Sequence, residues 1–306
     1  MLDVPTRPVL RWYGGKWRIA PWIISMFPVH STYVEPFGGA ASVLLRKPRA
    51  YAEVYNDLDD WVVNLFRVLR DDGQSARLIA QLDLTPFARR EFEATAELAG
   101  PPSDDPVEMA RLLIVRSFMG FGANAHNGRS TGFRSSTHHG RTGDFYGGST
   151  RSSKRNCKGL AHDWANYPSA LRAVVERMRG VTVEHRDAGE VMLQHDSVGT
   201  LHYVDPPYLP ETRSPANKYD LKYRAYRHEL SEDDHRTLLS LLKSLKGKIV
   251  LSGYASDIYE ENLSGWRRLE LNTFADGARP RTEVVWLNRA CADALDVEQL
   301  PLLALR

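Results

Sequence analysis

The segment Thr200-Leu201-His202-Tyr203-Val204-Asp205-Pro206-Pro207-Tyr208 constrains the fold of this chain more than any other stretch. Its first five residues are apolar-rich and partly β-branched, the pattern of a buried strand. Asp205 and two prolines then end that strand, because each proline fixes φ and has no N–H for a ladder. A carboxylate and an aromatic ring are thereby held at a strand's carboxyl end, where open α/β sheets bind ligands. Asp-Pro is also ordinary turn chemistry, so the tetrapeptide alone is compatible with a strand that simply turns.

A glycine-rich turn far upstream adds to its meaning. Tyr33-Val34-Glu35-Pro36-Phe37-Gly38-Gly39-Ala40-Ala41, followed by the helix-compatible run Ser42 to Leu45, reads as strand, turn and helix. That is the first βα unit of a nucleotide-type fold, although the G-x-G-x-x-G of a nicotinamide dinucleotide site is missing. A second short strand, Ala52 to Tyr55, ends in Asn56-Asp57, and Asp57 lies 19 residues after Gly38. An acid at about that distance binds ribose hydroxyls in such folds. Asp57 is equally suited to cap a helix running through Trp61 to Phe66, and both readings stand. Near the amino terminus, Arg11-Trp12-Tyr13-Gly14-Gly15-Lys16 combines paired glycines with a stacking face at Trp12 and a charge at Lys16. It is not a Walker loop, and the same residues would serve an ordinary turn.

From Asp71 to about Gly180 the strand–helix alternation stops. Pro86 to Leu98 and Val107 to Phe118 read as helices. Residues 121–160 then hold seven Lys/Arg against one acid, with eight glycines, four Phe/Tyr and three histidines. Such a segment has little apolar surface for a core of its own and is expected to stay mobile until it meets a partner. Basic residues interleaved with aromatics suit phosphates and unstacked bases, while a solvated linker has a similar composition. The histidines lack metal-ligand spacing with any cysteine pair. After a helix around Ala170 to Met178, strands are expected at Val181 to His185, Thr200 to Val204, Lys248 to Tyr254, Trp266 to Leu271 and Thr282 to Leu287. Arg186-Asp187 ends the first of these. Leu209 to Tyr226 is polar and rich in Tyr and Arg, in character a lid or substrate loop. Ser231 can cap a helix, with Asp234 completing an imperfect capping box.

The expected fold is therefore α/β: a Rossmann-like, mostly parallel sheet from residues 1–70 and 181–306, interrupted by a helical and loop-rich insert at 71–180. Cys157 and Cys291 are too few and too far apart for a disulfide framework or a zinc site. No apolar run approaches a membrane span, and the start Met1-Leu2-Asp3-Val4-Pro5 lacks a signal pattern, so a cytoplasmic location is expected. The net charge of +2 says nothing by itself about nucleic acid. No obligate protein partner is evident.

Taken in order, the Trp-x-Gly-Gly-Lys opening, the Glu-Pro-Phe-x-Gly turn, the acid after the second strand and Asp-Pro-Pro-Tyr resemble the Dam-like DNA adenine methyltransferases. The resemblance covers roughly residues 9–70 and 181–290. It implies S-adenosylmethionine as cofactor and the exocyclic amine of adenine in double-stranded DNA as methyl acceptor. Carried over, Trp12 and Lys16 would lie at the cofactor and acceptor site, with Glu35 on the cofactor side. Phe37 and Gly38 would line the methionine and sugar portions, Asp57 would hold the ribose, and Asp187 would lie near the cofactor's adenine. Asp205, Pro206, Pro207 and Tyr208 would handle the target base. Arg129, Arg134, Arg141 and Arg151 in the insert are the candidates for DNA contacts. The family's usual arginine-asparagine and phenylalanine-asparagine pattern for GATC is missing, so no recognition sequence carries over.

The chemistry of the tetrapeptide agrees. An aromatic exocyclic amine is a poor nucleophile because its lone pair is delocalised into the ring. Acceptors for its N–H groups, such as the Asp205 carboxylate and the Pro206 carbonyl, localise that pair and stabilise positive charge developing on nitrogen. A base inside a duplex cannot reach such a site without being flipped out. A cytosine amine would suit the same clamp, and a protein that kept the fold but lost catalysis would remain a DNA-binding module.

Overall fold

The computed structural model describes residues 4–96, 104–122, 132–135, 159–212, 226–274 and 280–303. Within them, seven strands form one sheet: β1 (Thr32–Glu35), β2 (Ala52–Asn56), β3 (Val181–Glu184), β4 (Thr200–Val204), β5 (Lys248–Gly253), β6 (Arg267–Phe274) and β7 (Pro280–Leu287). Their order is β3-β2-β1-β4-β5-β7-β6. β1 pairs in parallel with both β2 and β4, β2 with β3, and β4 with β5, whereas β7 runs antiparallel to β5. The expected Rossmann-like, mostly parallel sheet is present. All five residues of β4 are buried, as in a central strand covered on both faces, where residues read as a continuous run and not as an alternation.

One apolar cluster joins Val204, Ile249, Leu251, Val284 and Trp286 of the sheet to Leu238, Leu239 and Leu242 of the Glu232–Ser244 helix. That helix begins with a complete capping box, in which Ser231 Oγ accepts the Asp234 N–H and Asp234 Oδ2 accepts the Ser231 N–H. Aspartate, one methylene shorter than glutamate, still closes the box that the sequence suggested would be imperfect.

Contacts divide the chain into two units. One comprises Lys16–Asp60, Gly180–Leu271 and Thr282–Arg306; the other comprises Met1–Gly15, Trp61–Arg179 and Asn272–Arg281. The amino-terminal segment belongs with the helices of the second unit, a grouping that differs from the 1–70 boundary. Within that unit the Tyr167 hydroxyl donates to Val9 O (2.6 Å), and the Arg11 N–H donates to Ser117 Oγ (2.6 Å). Its helices include Asp72–Leu84, which the sequence pattern did not suggest because a glycine lies in its first turn; Asp71 caps it by accepting the Gln74 N–H. The helix expected over Pro86 to Leu98 begins later, with Arg89–Ala96 as its described part, and the one near Val107 runs from Pro106 to Met119 with Asp105 as cap.

The run after β1 departs from expectation. Residues 42–46 form hydrogen-bonded turns and not a helix. Ala41 has φ of 51°, outside the right-handed helical region, and the Leu44 N–H donates to Glu35 Oε2 (3.0 Å) in place of a backbone carbonyl. Gly38 is required here by packing: a Cβ on it would lie 2.1 Å from Tyr55 Cε2. The same tyrosine donates from its hydroxyl to Gly39 O (2.7 Å), so its ring is tethered and cannot simply swing away. Gly38→Ala is therefore expected to destabilise the protein by about 1–3 kcal/mol through overpacking, measured by urea unfolding. Adding Tyr55→Leu should recover part of the loss; an unchanged unfolding midpoint for Gly38→Ala alone would contradict this packing account.

Candidate active site

Parallel strands aim all their carboxyl ends to one side of a sheet, and the order reverses between β1 and β4. Open α/β sheets bind ligands in the crevice at that reversal. The exits of those two strands are Glu35-Pro36-Phe37 and Val204-Asp205-Pro206. The fold thus brings together two motifs that lie far apart in the chain.

Asp205 is held by a buried ion pair. Its Oδ2 lies 2.9 Å from Lys16 Nζ, and the same ammonium lies 3.6 Å from Glu283 Oε1. Glu283, on β7, accepts from Ser252 Oγ (2.9 Å) and from the Tyr208 hydroxyl. Lys16 Nζ also sits 4.7 Å from the centre of the Tyr208 ring, whose other neighbour is Tyr254 in an edge-on contact at 4.5 Å. Tyr208 is buried, and its hydroxyl donates to Glu283. Asp205 Oδ1, by contrast, is buried and accepts no hydrogen bond among the described residues.

The charges follow from this geometry. Burial pushes the Asp205 carboxyl up to about 6; Lys16 works against that shift and Glu283 adds to it. Burial disfavours the Lys16 ammonium, but Asp205 and Glu283 outweigh it and hold the group above the ordinary lysine range. Glu35 is more extreme: burial raises it to about 8, although the Tyr33 hydroxyl (2.6 Å) and the Leu44 N–H (3.0 Å) both donate to its Oε2. Glu35 is consequently protonated at neutral pH.

Phe37 is half-buried against the apolar cluster beside β4 and β5. Asp57 neither caps the Asp60–Arg70 helix nor stands open. Its Oδ2 accepts the Gly39 N–H and its Oδ1 accepts the Asp59 N–H, each at 2.8 Å, so it clamps the glycine turn to the loop after β2. Burial raises it to about 6. A carboxylate has about four acceptor positions, so Asp57 retains acceptor capacity beyond these two bonds. Asp187 is exposed and caps the Ala188–Gln194 helix by accepting the Glu190 N–H (3.1 Å). Pro206 is buried and Pro207 half-buried. Trp12 lies in the other unit, where its carbonyl accepts the Gly15 N–H (3.1 Å). Arg134 follows Phe133, which packs on Phe87 and Phe92 and bridges to Gly120, so this part of the basic segment is anchored. Arg129, Arg141 and Arg151 lie outside the described residues, as does 213–225 of the loop after Tyr208; Pro210–Thr212 is a short 3₁₀ turn.

Two contributors escaped sequence reasoning. Asn56 is fully buried; its Nδ2 donates to Pro36 O (2.9 Å) and Arg186 O (3.0 Å), and its Oδ1 accepts the Arg186 N–H (3.0 Å). It ties the exits of β1, β2 and β3 together. Glu283 was hidden within the last expected strand, where a charge beside Val284-Val285-Trp286-Leu287 was the available signal. Among the described residues, no cluster of three or more His, Cys, Asp or Glu is placed to hold a metal ion, and no helix is long and apolar enough to cross a membrane.

The seven-stranded, mostly parallel sheet is consistent with a Rossmann-like methyltransferase fold. The sequence signature of the D12 class N6 adenine-specific DNA methyltransferases matches residues 12–98. Over these residues the chain is similar to the adenine-specific DNA methyltransferases of this class. The match includes Lys16, Glu35 and Asp57 and stops well before Asp205. No curated protein matches the chain.

The raised Glu35 has a consequence for stability. Its ordinary value is 4.5 and its folded value about 8, so the folded protein keeps a proton that the unfolded chain has released. Stability from this group is full below the lower value and is lost as pH rises through the higher one. Asp57 and Asp205 act in the same direction but are exhausted above about 6. Between about pH 6.5 and 8 the wild type should therefore lose about 2 kcal/mol more unfolding free energy than Glu35→Gln, at about 1.4 kcal/mol per pH unit. Urea unfolding at both pH values checks this; equal losses in the two proteins would place Glu35 near an ordinary carboxylate.

Proposed function

We propose that this enzyme is a site-specific methyltransferase that moves the methyl group of S-adenosylmethionine to the N6 amine of an adenine flipped out of duplex DNA. The observation that carries the reading is the asymmetry of Asp205: one oxygen tied to Lys16, the other buried and unpartnered. An unsatisfied buried acceptor costs about 1–3 kcal/mol, and such groups mark places where a ligand completes the bonding.

Asp205 Oδ1 accepts one N–H of the amine, and the Pro206 carbonyl accepts the other. Together they draw the nitrogen lone pair out of the ring and offset the positive charge that grows on nitrogen as it is methylated. Lys16 keeps Asp205 oriented through the opposite oxygen. The two prolines hold carboxylate and carbonyl in fixed relation. Bound S-adenosylmethionine supplies an electrophilic methyl group. Asp57 would hold its ribose hydroxyls, Phe37 and the turn at Gly38 would line its methionine and sugar portions, Glu35 would lie on the cofactor side, and Asp187 would lie toward its adenine. Tyr208, with its hydroxyl bound to Glu283, supports the acceptor pocket by its ring. The helical unit with Arg134, together with Arg129, Arg141 and Arg151, contacts the DNA backbone and reads the target. Flipping one base costs a few kcal/mol, which phosphate and base contacts offset.

Asp205→Asn tests the reading. The amide can keep its oxygen toward Lys16, but it then presents an N–H₂ donor to an amine that also donates. Affinity for S-adenosylmethionine, by calorimetry, and for DNA should change by less than about threefold, whereas single-turnover methyl transfer should fall about 10²–10³-fold. Near wild-type transfer would overturn the assignment of Asp205.

A further inference from the structure

We propose that Glu283 is a positioning residue for methyl transfer: by engaging both Lys16 and the Tyr208 hydroxyl, it keeps one oxygen of Asp205 tied and the other open. The inference rests on the reading of Asp205 as the amine acceptor.

Glu283 sits in an apolar strand and is buried, as is its partner Ser252 on β5. Replacing a buried ionic group by an apolar one of similar size is commonly neutral or stabilising, so fold stability alone gives little reason for a carboxylate here. Its contacts supply another reason. A tyrosine hydroxyl has a single proton, and that of Tyr208 goes to Glu283. The same hydroxyl lies within hydrogen-bonding reach of Asp205 and favours its charged form. Without an acceptor at position 283, Tyr208 would turn that proton to the nearby open oxygen of Asp205, and the amine would meet an occupied acceptor. Lys16 is shared in the same way, with Asp205 at 2.9 Å and Glu283 at 3.6 Å. Glu283 therefore limits how strongly either neighbour engages Asp205.

Six groups bear electrostatically on Asp205: Lys16, Glu35, Tyr203, Tyr208, Tyr259 and Glu283; Tyr254 bears on Lys16. Glu35 titrates at about 8 and Asp57, like Asp205, at about 6, so an acidic limb near pH 6 is assigned to Asp205 by its response to Glu283, which bears on Asp205. The Glu283 charge raises the Asp205 value, and removing it must lower that limb.

The test is single-turnover methyl transfer by the full chain on DNA with S-adenosylmethionine, across a range from about pH 5 to 9. In Glu283→Gln the amide oxygen still accepts from Ser252 and Tyr208 but carries no charge. The midpoint of the acidic limb should fall by about one pH unit, the size typical of a close charge. Glu283→Asp, which keeps the charge, should leave the midpoint within about 0.3 unit while lowering the rate. If Glu283→Gln does not fold, Glu283→Met carries the same expectation of a lower midpoint. An unmoved or raised midpoint, a wild type without an acidic limb, or failure of both uncharged variants to fold would overturn the proposal. Asp205→Asn is measured alongside: its loss of transfer with an unmoved Glu283→Gln midpoint sinks this inference alone, whereas its full activity removes the reading beneath it.

Discussion

The contact between Lys16 and Asp205 is the interaction on which the site depends. A carboxylate withdrawn from water resists ionisation, and an unpaired one would take up a proton and lose its use as an acceptor. Lys16 supplies the compensating charge at 2.9 Å, and Glu283 in turn limits how completely Lys16 is spent on Asp205. Three charges are balanced inside one buried cluster, with a third acid, Glu35, kept neutral beside them by its burial.

The fold explains why this cluster forms where it does. Parallel pairing of β1 with β4 brings the exits of two remote segments side by side. Antiparallel pairing of β7 with β5 then sets Glu283 against Ser252 from a still later segment. Asn56 performs the corresponding task on the other half of the sheet, binding the β1 and β3 exits through one amide. A side chain that both donates and accepts suits that position, since the carbonyls and the N–H it serves would otherwise be buried unpaired.

Glycine and acid at the turn after β1 carry more structural duty than their motif suggests. Gly38 is bounded by the Tyr55 ring, and Asp57 spends one bond on the glycine turn and one on the loop after β2. Such residues can serve a cofactor and still be required by the empty fold. Loss of binding on their mutation therefore has two physical sources, separable only by measuring stability as well.

Much of the architecture is legible in local sequence. A strand of buried β-branched and aromatic residues that runs into Asp-Pro-Pro-Tyr determines a carboxylate at a sheet's edge, because proline chemistry acts on adjacent residues. The glycine turn, the alternation of strands and helices and the sheet's parallel class follow from equally local rules of periodicity and propensity. The helix anticipated after that turn failed because Glu35 takes the Leu44 amide and Ala41 adopts positive φ, a competition between side chain and backbone that periodicity does not register. Which oxygen of Asp205 is held and which is open, and that Glu283 takes the Tyr208 proton, were decided by tertiary structure alone. Those outcomes depend on burial and on hydrogen bonds between strands far apart in the chain, and no local pattern encodes which buried charges will meet.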